Sequence, residues 1–314
     1  MFNNKKSHIW DISTDNSNEL VTIKRNSNIA VNFMLGEKFR KLRKAKGINI
    51  YKAAEGITSK SSLQRWENGQ GEMSIEKVMA LLKKVHVQPD EFVRSLNDLK
   101  VYTKNVTVAY QNNDINELKD MASNLLNIYY LDHKNKKVFF QAAIACNYYM
   151  DFTNINLLNK NDVLRLRAYF SSIKNWTREN IVIFGNVQLL LDGEYVYATA
   201  RSLLSCLIDN KNDDDFINKM AVTSLLNAVF VLIKKKSIKK ACKLLTQIKH
   251  LKCINELHFS QIRIKYAEKV FSCIKRKNTQ EMDDFLADLK SIGLIQQAND
   301  FALGFSQMKN IYGF

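Results

Sequence analysis

Residues that break helices are almost absent from this chain. It contains one proline, Pro89, and ten glycines in 314 residues. Proline removes a backbone donor and clashes with the preceding turn, and glycine costs backbone entropy, so both are unfavourable inside an α-helix. A chain of this length with so few of them is predicted to be all-α. The one candidate strand, the apolar run at 179–191, lacks turn residues at its ends, and we interpret it as a buried helix.

The net charge favours an anionic partner. Lys and Arg exceed Asp and Glu by 47 to 31, which gives a formal charge of +16. Such an excess is typical of proteins that meet nucleic acid or an anionic membrane surface. The excess is denser in residues 35–100 than in residues 101–314. No run of apolar residues reaches the roughly 18 needed for a membrane span, so we expect no membrane partner.

The cysteines and histidines indicate no catalytic or metal site. The five cysteines are irregularly spaced without a CxxC pair, and the five histidines are scattered. Zinc-ligand spacing, nucleotide-binding loops and metalloprotease motifs are all missing. We therefore expect no metal, no cofactor and no enzymatic activity. Reduced cysteines, together with the lack of a signal peptide in the first 34 residues, predict a cytoplasmic protein.

Three regions of the chain differ in pattern. Residues 1–33 are polar, rich in Asn and Ser and aperiodic, and we interpret them as a flexible tail. A basic arm that helps to bind nucleic acid is the alternative, and Met34 is as acceptable a translation start as Met1. Residues 34–97 are predicted to form a helix-turn-helix domain. Residues 98–314 are predicted to form a helical-repeat domain for sensing and dimerisation.

Residues 35–96 carry the signals of five short helices. The first is amphipathic and ends at Gly47. Asn49 and Ser59 have the side chains that cap the second and third helices. Pro89 stands in the first turn of the fifth, where proline is tolerated. The fourth helix has an apolar stripe made by Ile75, Val78, Leu81, Leu82 and Val85.

The second and third helices form a candidate helix-turn-helix. In this motif the second helix lies in the major groove of DNA with its N-terminal residues at base edges. Arg65 suits guanine and Gln64 suits adenine, whereas Leu63 and Trp66 fall on the side to be buried. A solvated polar helix is the alternative. The predicted DNA-binding residues, including two lysines of the basic first helix, are Ser59, Lys60, Ser61, Gln64, Arg65, Asn68, Lys41 and Lys44.

A repeat is visible in the second region. Residues 230–249 and 271–290 align without gaps at a period of 41, and residues 109–128 have the same shape. Each segment has an apolar helix end, a polar turn and then an amphipathic helix. Repeats of this size built from helix pairs predict an α-solenoid similar to tetratricopeptide repeats. Such stacks curve, and their concave face can hold a peptide.

Four polar residues of the repeat region are candidates for binding that peptide. Asn186 and Asn227 stand in strongly apolar helices, where a polar side chain is costly without a partner. An asparagine offers both a donor and an acceptor to the backbone of an extended peptide. Arg165 and Arg167 precede them and suit a peptide carboxylate. The alternative is that both asparagines form hydrogen bonds between repeats.

These motifs resemble a known family. The segments at 35–47, 59–69 and 74–92 resemble Cro/cI-type helix-turn-helix proteins, and more closely the Rgg/GadR/MutR group of regulators in Gram-positive bacteria. The segment SKSSLQRWENG stands in the place of that group's Ser-Lys-Ser-x-x-Ser-Arg-Phe-Glu signature. Residues 176–186 are similar to its Trp…Phe-Gly-Asn stretch. The second helix departs from the pattern, since it lacks the usual Gln, and we assign the phosphate contact to Lys52.

The resemblance implies a sequence-specific DNA-binding transcription regulator that is controlled by a short hydrophobic signalling peptide, as in quorum sensing. The partners implied are a double-stranded DNA operator, this peptide and, as a further candidate, RNA polymerase. A homodimer is expected because helix-turn-helix dimers meet two half-sites. The alternative is a scaffold or phage-type regulator whose repeats bind protein partners without a peptide signal.

Overall fold

The computed structural model describes residues 35–93, 99–209 and 215–313, and within these ranges it contains helices and turns but no strand. The prediction of an all-α fold is therefore confirmed. The chain divides into two compact units between Asn97 and Asp98. The predicted tail at residues 1–33 lies outside the described residues.

Five helices occupy the described part of the first unit. They are α1 (35–45), α2 (Ile50–Ala54), α3 (Lys60–Glu67), α4 (Ile75–Lys84) and α5 (Pro89–Val93). The caps follow the sequence. Asn49 accepts from the backbone N–H of Lys52 at 2.8 Å, and Ser59 accepts from that of Ser62 at 3.1 Å. Gly47 has a φ of +67°, the left-handed conformation that ends α1.

The five helices enclose a small apolar core. Its largest members are fully buried: Phe39, Leu63, Trp66, Leu81, Leu82 and Phe92. The stripe predicted for α4 holds at Val78, Leu81, Leu82 and Val85, but Ile75 is 66% exposed. Ile75 is the first residue of α4. We attribute its exposure to this terminal position, because the neighbouring helices pack against α4 only from its second turn onward.

The described part of the second unit consists of helices and the short segments between them. In chain order they are α6 (Leu99–Gln111), α7 (Ile115–Leu131), α8 (Lys136–Thr153), α9 (Lys160–Ser171), α10 (Arg178–Gly185), α11 (Gly193–Asp209), α12 (Asp215–Lys234), α13 (Ile238–Lys249), α14 (His258–Arg276), α15 (Gln280–Ser291) and α16 (Ile295–Tyr312). Two 3-10 segments, Gln188–Leu190 and Lys252–Glu256, complete the unit.

The repeat period is visible in the backbone. Asn113, Asn154, Lys236 and Lys277 all adopt φ between +56° and +58°. Each follows the first helix of a pair, and their numbers differ by 41 or by twice 41. A left-handed residue at a helix C-terminus ends the helix and reverses the chain. The turns therefore repeat with the period of the sequence, including at positions occupied by Lys rather than Asn.

The apolar run at 179–191 is not the single helix that its composition predicts. It forms α10 and, after Asn186, the 3-10 segment Gln188–Leu190. A Cβ at Gly185 would lie 3.2 Å from Oγ of Ser224, so α10 ends in close contact with α12. The run is nevertheless buried, as predicted, through Ile181, Ile183, Phe184, Val187 and Leu190.

Helix α12 is the centre of the repeat unit. Among the described helices it alone is long and apolar enough to span a membrane on those two criteria. Ten of its side chains are buried, and it packs against α10, α11, α13 and α14. Its hydropathy is therefore accounted for by neighbouring helices of the same unit.

Candidate DNA-binding face and peptide groove

The predicted base-reading residues lie on one side of α3. Ser61, Gln64, Arg65 and Asn68 are exposed and Lys60 is half-buried. Buried on the opposite side are Leu63, Trp66 and Glu67. Arg65 makes one contact, from Nη2 to the carbonyl oxygen of Gln70 at 3.3 Å. The helix thus presents a continuous polar surface on this side.

The N-terminus of α3 is organised by residues of α2 and of the turn. Ser59 caps the helix, and its Oγ lies 2.9 Å from Oγ of Ser62. Nζ of Lys60 donates to the hydroxyl of Tyr51 at 2.5 Å and lies 4.1 Å from the centre of its ring. Tyr51 is 63% exposed beside the cap. Lys52, the residue predicted to make the phosphate contact in place of the missing Gln, is also exposed, whereas a role for Tyr51 was not predicted.

The first helix supplies further positive charge next to α3. Lys44 is exposed, and Lys41 pairs with Glu37 at 2.8 Å on the surface. Nη1 of Arg40 donates to Oδ1 of Asn68 at 3.1 Å. Asn68 therefore connects α1 to the end of α3, and its predicted contact with DNA would have to be made alongside this bond.

Close packing sets the position of α3 against α1. The rings of Phe39 and Trp66 lie 5.5 Å apart and are tilted by 42°. A Cβ added to Gly36 would lie 1.9 Å from the carbonyl oxygen of Trp66, which is far inside a contact distance. Glycine at position 36 is therefore what permits α1 to approach the C-terminal turn of α3.

A groove runs through the second unit. Its main cavity, about 960 Å³, is lined by residues of α6, α8, α12, α14 and α16. A smaller cavity of about 220 Å³ shares five lining residues with it, and Asn186 and Asn227 lie there. The shared residues are Tyr110, Tyr148, Asp151, Phe230 and Lys234. The main volume lies at the upper end of the range usual for ligand pockets.

The wall of the groove is aromatic. Tyr110 and Tyr148 meet edge to face at 4.9 Å between ring centres. Tyr266 stacks on Phe301 at 4.5 Å with 14° between the planes, and Phe230 lies 5.5 Å from Tyr266. Aromatic side chains offer large, rigid apolar area with few polar atoms. Such a surface suits apolar side chains of a bound ligand.

One ion pair lies in the groove, and its two opposite charges neutralise each other. Nζ of Lys234 forms a salt bridge with Oδ1 of Asp151, and both side chains are largely buried. The hydroxyl of Tyr110 donates to Oδ2 of the same carboxylate at 2.6 Å. Burial, followed by the nearby Asp151 charge, raises the pKa of Tyr110, so its proton stays on the phenol. This cluster fixes α6, α8 and α12 around the groove.

Both predicted asparagines line the groove and have hydrogen-bond partners. Nδ2 of Asn227 donates to the carbonyl oxygen of Gly185 at 3.0 Å, and its Oδ1 accepts from Nη2 of Arg263 at 2.7 Å. Asn186 accepts from the hydroxyl of Tyr148 at 3.0 Å and donates to its own helix. The hydrogen bonds between repeats that the alternative interpretation predicts are therefore present.

Arg165 and Arg167 line neither cavity, contrary to expectation. Both belong to α9, the second helix of a pair, whereas the groove is lined by first helices. Arg165 donates to the hydroxyl of Tyr129, and Arg167 pairs with the carboxylate of Asp192. The arginine that does line the groove is Arg263 of α14, which sequence analysis missed. Burial lowers the pKa of its guanidinium to about 10, so it is protonated at neutral pH.

The parts of the chain that the structure describes hold no group of three or more His, Cys, Asp or Glu residues placed to bind a metal ion. The five cysteines, all within the described residues, form no disulfide, and Cys146 and Cys273 are buried.

Comparison with known proteins decides the family. Residues 123–303, more than half of the chain, match the family described as HTH-type transcriptional regulator Rgg, C-terminal domain. Residues 39–92 match the helix-turn-helix family. The chain belongs to the Rgg family. It is thus a helix-turn-helix, DNA-binding transcription regulator and not an enzyme, as predicted.

Solved structures share the Rgg fold over most of this chain. The SHP pheromone receptor Rgg2 of Streptococcus dysgalactiae is 17% identical with a TM-score of 0.64, and the match covers 87% of this chain and 99% of that one. PrgX in complex with cCF10 is 15% identical with a TM-score of 0.63, covering 89% and 93%. A bacterial peptide pheromone/receptor complex is 15% identical with a TM-score of 0.60, covering 88% and 98%.

Proposed function

We propose that this Rgg-family regulator is cytoplasmic, binds its operator as a homodimer through α3, and is controlled by a short hydrophobic peptide held in the groove of the repeat unit. The observation that carries the peptide assignment is the groove itself. It combines an aromatic wall with two asparagines that offer hydrogen bonds to an extended backbone. RNA polymerase is a further partner in this proposal.

The DNA-binding assignment is supported by the exposed side of α3. The two parallel N–H donors of the Arg65 guanidinium suit guanine in the major groove. The donor and acceptor of the Gln64 amide suit adenine. Ser59, Lys60, Ser61 and Asn68 flank them, and Lys41 and Lys44 of α1 supply positive charge for phosphates. Two copies of the chain would place two such helices on two half-sites.

The peptide assignment is supported by the chemistry of the groove and by the names of similar structures. Those names describe a pheromone receptor, a complex of PrgX with cCF10 and a complex of a peptide pheromone with its receptor. In this chain, the main and adjoining cavities together would give room to apolar side chains. Each amide of Asn186 and Asn227 has a second donor and a second lone pair, and these would bind backbone groups of the peptide while the present bonds are kept. Arg165 and Arg167 lie outside the groove and have no part in this proposal.

Peptide binding is tested by capture from a synthetic library of hydrophobic octapeptides, with mass spectrometry of what remains bound. Wild-type protein should retain a subset of the peptide sequences in excess of their share of the library. Asn227→Ala should lose most or all of this enrichment. Asn310→Ala is the matched control, since Asn310 is exposed on α16 outside the groove. Equal capture by all three proteins, or none by wild type, would contradict peptide control.

A further inference from the structure

Arg263 differs from Lys234, the other cation that lines the groove, because its partners are all neutral. Nη2 donates to Oδ1 of Asn227 at 2.7 Å, and Nη1 reaches the carbonyl oxygen of Thr223 at 3.5 Å. The guanidinium lies 5.4 Å from the centre of the Phe230 ring. A guanidinium has five N–H donors. Three therefore have no partner among the described residues.

The carboxylates of the groove do not compensate this charge. Asp151 forms its salt bridge with Lys234 and accepts a second bond from Tyr110. Asp300, on α16, is exposed and accepts from Gln296 at 3.0 Å. Within the described ranges no carboxylate lies within ion-pair distance of Arg263. By contrast, the guanidinium of Arg167 on α9 pairs with the carboxylate of Asp192.

An uncompensated charge at a half-buried site is unfavourable, because burial removes hydrating water without supplying a counterion. The lowered pKa of the Arg263 guanidinium has this cause, and at about 10 it leaves the group charged at neutral pH. A ligand that brings a carboxylate removes the cost. Arginine also matches a carboxylate in geometry, since two parallel N–H donors face its two oxygens.

We propose that Arg263 is the anchor for a carboxylate of the peptide, bound through the open side of its guanidinium fork. The inference rests on the proposed peptide function and adds the feature by which the peptide is recognised. Asn227 acts here as a positioning residue, since its bond to Nη2 and its second bond to Gly185 fix the fork relative to α10. The carboxylate can come from the peptide C-terminus or from an Asp or Glu side chain.

Three octapeptide libraries separate these sources. The first has a free C-terminal carboxylate and no acidic residues, the second is identical but amidated, and the third is amidated with Asp and Glu allowed. Wild-type protein should capture peptides from the first or the third about tenfold better than from the second. A preference for the first assigns the C-terminus, and a preference for the third assigns a side chain.

Substitution of the arginine tests the residue itself. Arg263→Gln should capture all three libraries only as well as wild type captures the amidated library without acidic residues. The melting temperature of the variant is recorded as a check of folding. Arg263→Lys keeps the charge without the fork and should retain a reduced preference. Arg201→Gln, an exposed arginine of α11 outside the groove, should behave as wild type.

The outcomes distinguish the two proposals. Equal capture of the three libraries by wild type would overturn the role of Arg263, regardless of how the variants behave. It would leave peptide binding itself in place. A carboxylate preference that survives in folded Arg263→Gln would overturn it as well. Failure of wild type to capture any library would contradict the peptide function, and the anchor would fall with it.

Discussion

Arg43 and Glu67 form a bidentate ion pair that joins α1 to the last turn of α3. Nε lies 2.7 Å from Oε1 and Nη2 lies 2.7 Å from Oε2. The two side chains are only 7% and 3% exposed. Nη1 of the same guanidinium donates to the carbonyl oxygen of Ile48 at 2.7 Å, so the loop before α2 is held at the same point. The helix that we propose as the recognition helix is thus held by a contact on its buried side, away from its exposed polar residues.

Loss of one partner of this pair should destabilise the first unit strongly. Removing one side of a buried ion pair leaves the other charge uncompensated and costs about 3–5 kcal/mol. Glu67→Ala should therefore raise hydrogen exchange of α3 amides by about a hundredfold or more. Glu55→Ala is the control, because Glu55 is 77% exposed in its contact with Lys84 and such pairs contribute about 0–1 kcal/mol. Unchanged exchange in Glu67→Ala would refute the role given to the pair.

Gly36→Ala should also loosen the contact between α1 and α3. The added Cβ would lie 1.9 Å from the carbonyl oxygen of Trp66, so the helices must move apart. Overpacking of this kind costs about 1–3 kcal/mol. Gly71→Ala is the matched control, since its Cβ would meet nothing closer than 3.9 Å. Thermal unfolding and exchange of α3 amides should change in the first variant and not in the second.

Contacts to bases and contacts to phosphates should have different effects in DNA-binding measurements. Arg65→Ala should cost about 1–3 kcal/mol at an operator obtained by in-vitro selection, and should relax base preference at one position. Lys44→Ala and Lys41→Ala should weaken binding to all sequences alike and reduce its salt dependence. Anisotropy titrations with the operator and single-base variants, at several salt concentrations, measure both effects. If Arg65→Ala binds as tightly and as selectively as wild type, α3 is not the recognition helix.

Features set by neighbours in sequence were predictable. The caps at Asn49 and Ser59 depend on hydrogen bonds that span three residues, and both are present. The burial of Leu63 and Trp66 opposite the exposed Gln64 follows from helical periodicity alone. The repeat period was visible because each pair of helices needs the same turn at the same place.

Features that depend on packing between distant helices were not predictable. Arg263 meets Asn227 across 36 residues, and nothing in the sequence around Arg263 indicates that α14 faces the groove. Arg165 and Arg167 were assigned to the groove from their place in the chain, but the second helices of the pairs do not line it. In both cases the three-dimensional stacking of the repeats, rather than local pattern, decides which side chains converge.

Cys146 should resist alkylation in the folded protein. It is completely buried in α8, and burial, with a smaller effect of the Asp162 charge, raises the pKa of its thiol to about 12. The reactive thiolate is therefore scarce in mildly alkaline buffer. Iodoacetamide should modify the half-buried Cys206 first and Cys146 only after denaturation, as read by mass spectrometry. Equal rates for the two cysteines in native protein would be inconsistent with the packing of α8.

The central claim is that a peptide in the groove alters DNA binding by α3, and the most direct measurement is the Kd of the selected operator with and without saturating captured peptide. Coupling between two sites on one protein typically changes affinity by about 5–150-fold. We predict a change of at least fivefold for wild type and none for Asn227→Ala. An operator Kd that stays the same when the wild-type groove is known to be filled would contradict the account.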